Sequence, residues 1–145
     1  MAQAAGTEIT MPKHGEFCWA EIATNDLEAV QKFYTNIFGW EFQKTPSAGE
    51  GMEYFTYNLP GEYGQGGIYK MDPAMFGGSA PPPHFINYIA VEDVDATSAK
   101  AVELGGKIHV PPMDIPGTGR FCMIEDPTGA HVALITLIPM AQGGK

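Results

Sequence analysis

The sequence repeats one order of secondary-structure elements twice, and this repeat constrains the fold more than any other feature. Apolar alternation and helical spacing predict a strand, a helix and three further strands in residues 15–71, and the same series in residues 85–139. Asp26 and Asp93 are placed to open the two helices, and Gly39 and Gly106 to close them at matching length. A βαβββ unit cannot bury its sheet alone, so two units must pair, within one chain or between two.

The spacing of apolar residues also predicts which side of each helix is buried. In the first helix, residues at intervals of three and four form one apolar face: Leu27, Val30, Phe33, Tyr34 and Ile37. In the second helix, the corresponding face consists of Val94, Ala101, Val102 and Leu104.

Segments rich in Gly and Pro set the predicted boundaries. Residues 72–84, DPAMFGGSAPPPH, form a connector that continues neither a helix nor a central strand. The connector separates module one (15–71) from module two (85–139), and the two modules form a single domain (15–139). Residues 1–14 are predicted to be a flexible N-terminal tail and residues 140–145 a frayed C-terminus.

Composition excludes several classes of partner. The 145 residues carry a formal net charge of −9, with eight Lys and Arg against 17 Asp and Glu, which argues against nucleic acids and anionic membrane surfaces. No stretch approaches the ~20 apolar residues of a membrane span, and the N-terminus lacks the pattern of a secretion signal. We therefore expect a cytoplasmic protein in which Cys18 and Cys122 are free thiols.

Two segments resemble a known family. In FCWAEIATNDLEAVQKFYTNIFGWEF, a helix led by Asp26 carries Phe-Tyr and ends in Phe-Gly-Trp, and in FCMIEDPTGAHVALI an Asp-Pro-x-Gly turn joins the last two strands. Over residues 15–139 the sequence resembles the vicinal oxygen chelate superfamily, which includes glyoxalase I, bleomycin-resistance proteins, fosfomycin-resistance enzymes and extradiol dioxygenases. The resemblance implies an α+β fold whose two βαβββ modules form a curved, cup-like mixed sheet, commonly in a homodimer.

The resemblance also implies where a metal would be held. Members with a catalytic metal bind it in the cup with one His, Glu or Gln from the first and last strands of each module, and these ligands suit a divalent ion. The matching positions here are Trp19, Gly66 or Gly67, Asn87 and Ala133. None of them is a His, Asp or Glu, so we expect neither this metal site nor another cofactor. The remaining histidines outside the last strand, at positions 14, 84 and 109, are not expected to converge.

The predicted cup face supplies the candidate site residues. If Trp19 and Ala133 face the cup, the two-residue period of a strand turns Glu21 and His131 the same way. A buried carboxylate is costly without a partner, and His131, Asn87, Arg120 or a tyrosine would serve. Glu21 and His131 are therefore the candidate catalytic residues. The candidate ligand-binding residues are Trp19, Glu21, Asn87, Ile89, Arg120, His131 and Ala133.

Two classes of function fit these residues. In the first, the protein binds an aromatic or polar small molecule in the cup and leaves it unchanged, as bleomycin-resistance members do. In the second, it is a glyoxalase-like lyase or isomerase, or a dioxygenase-type enzyme, in which Glu21 is the base or an unplaced metal takes part. We expect the first class, with a small molecule and a second copy of the chain as partners.

Structural roles remain as alternatives for the same residues. Glu21 and His131 are also consistent with a hydrogen-bonded pair at a module seam or dimer interface, and Arg120 with an ion pair. A third hypothesis for the function is that Phe17, Trp19 and Ile89 fill the cup and the protein acts through its surface.

Overall fold

The computed structural model describes residues 11–45, 53–62 and 64–138. These residues form two compact units, one from residues 19–86 and the other from residues 11–18 and 87–138. The predicted α+β class and the twice-repeated order of elements are confirmed. The first series is β1 (Phe17–Thr24), α1 (Leu27–Phe38), β2 (Glu41–Lys44), β3 (Tyr54–Asn58) and β4 (Gly66–Lys70). The second series is β5 (His84–Ala90), α2 (Val94–Glu103), β6 (Lys107–Ile115), β7 (Gly119–Glu125) and β8 (His131–Leu137).

The predicted tail, connector and C-terminus are only partly covered by the described residues. Residues 1–10 of the predicted tail and residues 139–145 lie outside the described residues. The end of the tail is docked, because His14 Nδ1 accepts a hydrogen bond of 3.0 Å from the Glu92 backbone N–H. The connector begins with a short 3₁₀ helix (Pro73–Phe76), and β5 starts at its last residue, His84.

In the first unit, α1 packs on one face of a sheet with the strand order β2-β3-β4-β1. Strand β1 runs parallel to β4, and the other neighbours are antiparallel. The core between helix and sheet is built on Ile22, Tyr57 and Ile68, with Leu27 and Val30 of α1 packed against it. Strand side chains alternate between faces, so the residues flanking Ile22 and Ile68 point to the opposite side. We call that side the helix-distant face of the unit.

Helix α1 begins and ends where the sequence predicts. The Asp26 carboxylate accepts a hydrogen bond from the Ala29 N–H, and Gly39 closes the helix with a φ of 77°. The predicted buried face is wrong in part, because Phe33 is 57% exposed and Ile37 is 52% exposed. Phe33 is turned about 100° from Tyr34 around the helix, away from the sheet.

In the second unit, α2 packs on one face of a sheet with the order β5-β8-β7-β6, in which β5 and β8 are parallel. The core on the helix side is Val91, Val94, Cys122 and Leu134. Both cysteines are free, as expected. Of the predicted helix face only Val94 is fully buried; Ser98 is buried instead, whereas Val102 and Leu104 are exposed.

Helix α2 is shorter than the repeat predicts. It spans ten residues against twelve in α1, and Leu104 caps it, so the prediction that Gly106 closes the helix is wrong. The positive φ that ends the turn, 100°, falls on Gly105. Two consecutive glycines make the terminus ambiguous in the sequence, because either can take the left-handed conformation.

Strand β6 is irregular, and this irregularity positions one functional side chain. Its pairing with β7 shifts between Ile108 and Val110 and again between Val110 and Met113. The second shift spans Pro111 and Pro112, which have no N–H to donate to a ladder. His109 lies at the first shift, where an extra residue turns the strand locally. In the part of the chain that the structure describes, no helix combines the length and apolar character needed to cross a membrane.

The core assignment predicts that an Ile→Ala substitution lowers the free energy of unfolding much more at a buried position than at an exposed one. Ile68 is fully buried, so Ile68→Ala should lower the free energy of unfolding by about 2–5 kcal/mol. The matched control is Ile37→Ala, at an exposed position of α1, which should lower the free energy of unfolding by less than about 1 kcal/mol. Urea denaturation followed by circular dichroism measures both. Equal losses would contradict the assignment of Ile68 to the core.

Candidate functional site

A chain of hydrogen bonds ends on a buried carboxylate in the first unit. Trp19 Nε1 donates to the Tyr54 hydroxyl over 3.0 Å, and that hydroxyl donates to Glu21 Oε2 over 2.7 Å. Glu21 is only 7% exposed. We call these three residues the Glu21 cluster. Because their strand neighbours Ile22 and Phe55 pack on the helix side, the cluster lies on the helix-distant face.

Gly67 makes this arrangement possible, and its neighbour Gly66 is crowded as well. Glu21 is the register partner of Gly67 on the parallel strand β4, and Tyr54 comes from β3 on the far side of β4. A side chain at Gly67 would collide with the Tyr54 hydroxyl, and one at Gly66 would collide with the Ala20 carbonyl oxygen. The missing side chain at Gly67 leaves room for Tyr54 to reach across β4.

The phenols around Glu21 are held in the protonated state. Burial, and then the negative charge of Glu21, raise the pKa of Tyr54 far above its usual value. The same two causes, in the same order, raise the pKa of Tyr57 to about 12 and that of Tyr69 to about 12. Tyr54 therefore remains a hydrogen-bond donor to Glu21 throughout the physiological range.

The structure corrects the predicted face of two residues on β5. The partner of Ala133 is Tyr88, so Asn87 and Ala133 do not share a face. Asn87 is exposed, and Ile89 packs against the core on the helix side. The prediction is wrong by one residue: Asn87 lies six residues before Asp93, whereas Trp19 lies seven before Asp26. A shift of one residue reverses the face of a strand side chain.

The other predicted site residues are distributed as follows. Arg120 forms an ion pair with Asp95 of α2, with Nε–Oδ2 at 2.8 Å and Nη2–Oδ1 at 3.1 Å, and a second pair with Asp114 at 3.0 Å. The ion-pair interpretation of Arg120 is therefore the one that the structure supports. Ala133 is fully buried, and Phe17 is 71% exposed.

His131 belongs to a second polar cluster that the sequence interpretation missed. Glu125 Oε1 lies 2.5 Å from His109 Nε2 and 3.4 Å from His131 Nε2. The two imidazole rings are 4.5 Å apart between centroids. His14 and His84 make other contacts, so the three histidines expected not to converge do not meet, but the sequence did not predict the contact between His109 and His131. We call these three residues the Glu125 cluster.

The Asp-Pro-Thr-Gly turn and the β6 irregularity bring this second cluster together. Asp126 Oδ1 accepts hydrogen bonds from Thr128 and from the Ala130 N–H, which closes the turn between β7 and β8. The closed turn makes Glu125 and His131 register partners. This pairing was readable from the hairpin sequence, whereas the contact of His109 depends on the shift in β6. The hydrogen bond to His109 is the first cause that lowers the pKa of Glu125.

Two surface clefts in the second unit contain neither cluster. The larger, about 480 Å³, is lined mainly by His14, Asp93, Thr97, Lys100 and Leu104. The smaller, about 210 Å³, lies beside Met11, Val91 and Thr136. Both are next to the docked tail.

The positions that hold metal in the resembled family do not fit a metal here. Trp19 offers an indole N–H, which donates to Tyr54 and has no lone pair for an ion. Gly66, Gly67 and Ala133 have no donor atom, and neither has Ile86, which lies seven residues before Asp93 as Trp19 lies seven before Asp26. These positions therefore cannot hold a metal with their side chains.

Comparison with protein-family models identifies the fold family. Residues 17–134 match the Glyoxalase/Bleomycin resistance protein/Dioxygenase superfamily. The chain belongs to this superfamily. The vicinal oxygen chelate resemblance inferred from the sequence is confirmed.

Two curated relatives of the chain carry different descriptions. The chain is 41% identical over 129 residues to the putative glyoxylase CFP32 of Mycobacterium bovis, covering 86% of this chain and 48% of the relative. It is 28% identical over 137 residues to the anthracycline biosynthesis protein DnrV of Streptomyces peucetius, covering 83% of this chain and 46% of DnrV. The chain thus spans about half the length of these curated relatives.

Two solved structures have the same fold at low sequence identity. Methylmalonyl-CoA epimerase from Mycobacterium tuberculosis has a TM-score of 0.60 at 17% identity, covering 91% of this chain and 94% of the epimerase. An extradiol ring-cleaving dioxygenase from B. fuscum has a TM-score of 0.59 at 19% identity, covering 92% of this chain and 35% of the dioxygenase. At these identities the likeness shows the fold alone.

The Glu21 cluster predicts an asymmetry between two tyrosine substitutions. Tyr54→Phe removes the hydroxyl that serves both Trp19 and Glu21, so it should lower the free energy of unfolding by about 1–3 kcal/mol. Tyr34→Phe is the control, because the Tyr34 hydroxyl has no hydrogen bond among the described residues. It should change stability by less than about 0.5 kcal/mol in the same urea titration. Equal effects would contradict the proposed role of the Tyr54 hydroxyl.

The raised pKa values of the tyrosines predict that the stability of the fold depends on pH above pH 10. An unfolded tyrosine ionises near pH 10, so a folded pKa of about 12 stabilises the fold fully below pH 10. That stabilisation is lost as the pH rises from 10 towards 12. A tyrosinate absorbance titration of the native protein should therefore leave at least Tyr54, Tyr57 and Tyr69 un-ionised at pH 10.5. Ionisation of all six tyrosines together near pH 10, as in urea, would contradict it.

Proposed function

We propose that this superfamily member binds a small molecule at the Glu21 cluster, on the helix-distant face of the first unit, without using the family's divalent metal. The observation that carries the proposal is the buried Glu21 carboxylate with one oxygen held by Tyr54. A protein gains no stability from burying a carboxylate in this way when an apolar residue would pack there at lower cost. A binding role gives a reason for its presence.

The surroundings of Glu21 suggest a ligand with both an apolar and a polar part. Trp19, Tyr54 and Tyr69 lie on the same sheet face and offer broad, rigid apolar surfaces that suit a flat molecule. The Glu21 carboxylate is an acceptor of hydrogen bonds and attracts a hydroxyl, an amine or an amide N–H. We therefore expect an uncharged or cationic ligand that carries such a donor beside an aromatic or planar portion.

The name of one relative supplies a first probe. DnrV is described as an anthracycline biosynthesis protein. Anthracyclines are planar polycyclic molecules with hydroxyl groups, which is the class of ligand that the Glu21 cluster suits. Doxorubicin is therefore a sensible member of a first binding panel, together with simple phenols and aromatic amines.

A second candidate function is metal-independent proton transfer by a glyoxalase-like isomerase. It is favoured by the relative described as a putative glyoxylase, which shares 41% identity with this chain. In this function Glu21 takes a proton from the hydroxyl-bearing carbon next to a carbonyl group and returns it to the carbonyl carbon, while Tyr54 orients the carboxylate. The hydroxyl proton of the first carbon passes to the former carbonyl oxygen. The proton count balances, and no oxidant is needed.

One substitution distinguishes these functions. Glu21→Gln keeps the shape of the side chain and removes its charge, so a ligand held by a charge-assisted hydrogen bond should bind roughly 10–100-fold more weakly. Calorimetric titration with the ligand panel measures this change. Turnover of the hemithioacetal of methylglyoxal and glutathione, followed in parallel, tests the isomerase, whose activity Glu21→Gln should abolish with the fold intact.

The matched control is Glu28→Gln, at an exposed position in the first turn of α1. It removes the same charge from the same unit and should change neither affinity nor turnover. If Glu21→Gln and wild type behave alike in both assays, Glu21 has no functional role and the proposal fails.

A further inference from the structure

We propose that the Glu125 cluster is a binding site for a divalent transition-metal ion, with His109, Glu125 and His131 as its protein ligands. One ligand atom from each residue can be chosen so that all three lie within 4.8 Å of one another. The cluster does not depend on the function proposed for Glu21, because it lies in the other compact unit and shares no residue with the Glu21 cluster.

The geometry needs only a small adjustment to accept an ion. Zinc–nitrogen and zinc–oxygen bonds of about 2.0–2.2 Å hold neighbouring ligand atoms about 3–3.5 Å apart. The separation of Glu125 Oε1 from His131 Nε2, 3.4 Å, is already in this range. The separation from His109 Nε2, 2.5 Å, has to increase, and the His109 side chain is free enough to move because it is 45% exposed.

The chemistry of the three side chains selects the class of ion. Two imidazoles and one carboxylate are the ligands of zinc, iron, nickel and cobalt sites, whereas calcium and magnesium prefer oxygen ligands alone. Three protein ligands leave at least one coordination position for water. The exposure of the histidines, 45% and 54%, gives an ion direct access from solvent.

The backbone prepares the site from three strands. Glu125 ends β7 and His131 begins β8 as register partners across a closed turn, so the hairpin fixes their separation. His109 comes from the adjacent strand β6, where the shifted register accommodates it. Lys107 is also a register partner of Glu125, and its positive charge opposes cation binding to some extent. The carboxylate of the neighbouring Asp126 accepts hydrogen bonds within the turn and is not one of the three ligands.

This site is separate from the positions where the superfamily resemblance implies a metal. The last-strand position in that scheme is Ala133, which is two residues beyond His131 and has no donor atom. Neither His109 nor Glu125 lies on a first or last strand of the second module. An ion held by the Glu125 cluster would therefore be bound by three residues that lie outside the positions implied by the resemblance.

Equilibrium dialysis of the tag-free full chain against zinc chloride, with elemental analysis, tests the proposal. Wild type should retain about one equivalent of zinc, and His109→Gln and His131→Gln should each weaken binding by about 10-fold or more. His84→Gln is the matched control, because His84 is exposed and its Nδ1 lies against the Pro82 carbonyl. It should bind zinc as wild type does.

A second measurement avoids substitutions altogether. Modification of wild-type histidines by diethylpyrocarbonate, mapped by mass spectrometry, should be slowed by zinc at His109 and His131 but not at His84. Failure to retain zinc overturns the proposal. So does zinc binding that survives both cluster substitutions, or zinc protection that does not favour His109 and His131 over His84.

Discussion

The hydrogen bond from Tyr54 to Glu21 is the interaction on which the arrangement of the first unit depends. A carboxylate at 7% exposure is costly unless its oxygens are satisfied, and Tyr54 satisfies one of them over 2.7 Å. The phenol reaches Glu21 only because β4 has Gly67 between them. Gly67 is thus required by the polar group, and Trp19 in turn fixes the phenol by donating to its oxygen.

The superfamily fold and the function of this chain are separate questions. Both modules keep the βαβββ order, yet the positions that would carry metal ligands hold tryptophan, glycine and alanine. One fold supports many activities, so the epimerase and dioxygenase structures identify the scaffold only. The described residues of this chain instead form two polar clusters: a carboxylate with a phenol on the helix-distant face of the first unit, and a carboxylate with two imidazoles in the second unit.

Sequence reasoning succeeded where a pattern depends on local periodicity. The element order, the Asp26 and Asp93 caps, the turn before β8 and the shared face of Trp19 and Glu21 all follow from spacing along the chain. It failed where register between strands decides the outcome. Asn87 was assigned the wrong face by one residue, and His109 reaches Glu125 because β6 changes register at that point. Tyr54 could be anticipated only as one of several tyrosines, because its contact with Glu21 crosses an intervening strand.

A double-mutant cycle between Glu21 and Tyr54 tests the central claim most directly. The free energies of unfolding of wild type, Glu21→Ala, Tyr54→Phe and the double variant give the coupling between the two side chains without the other contacts of either residue. A direct hydrogen bond to a buried carboxylate predicts a coupling of about 1–3 kcal/mol. Additivity within about 0.5 kcal/mol would mean that the two residues do not act together, and the account of the Glu21 cluster would be wrong.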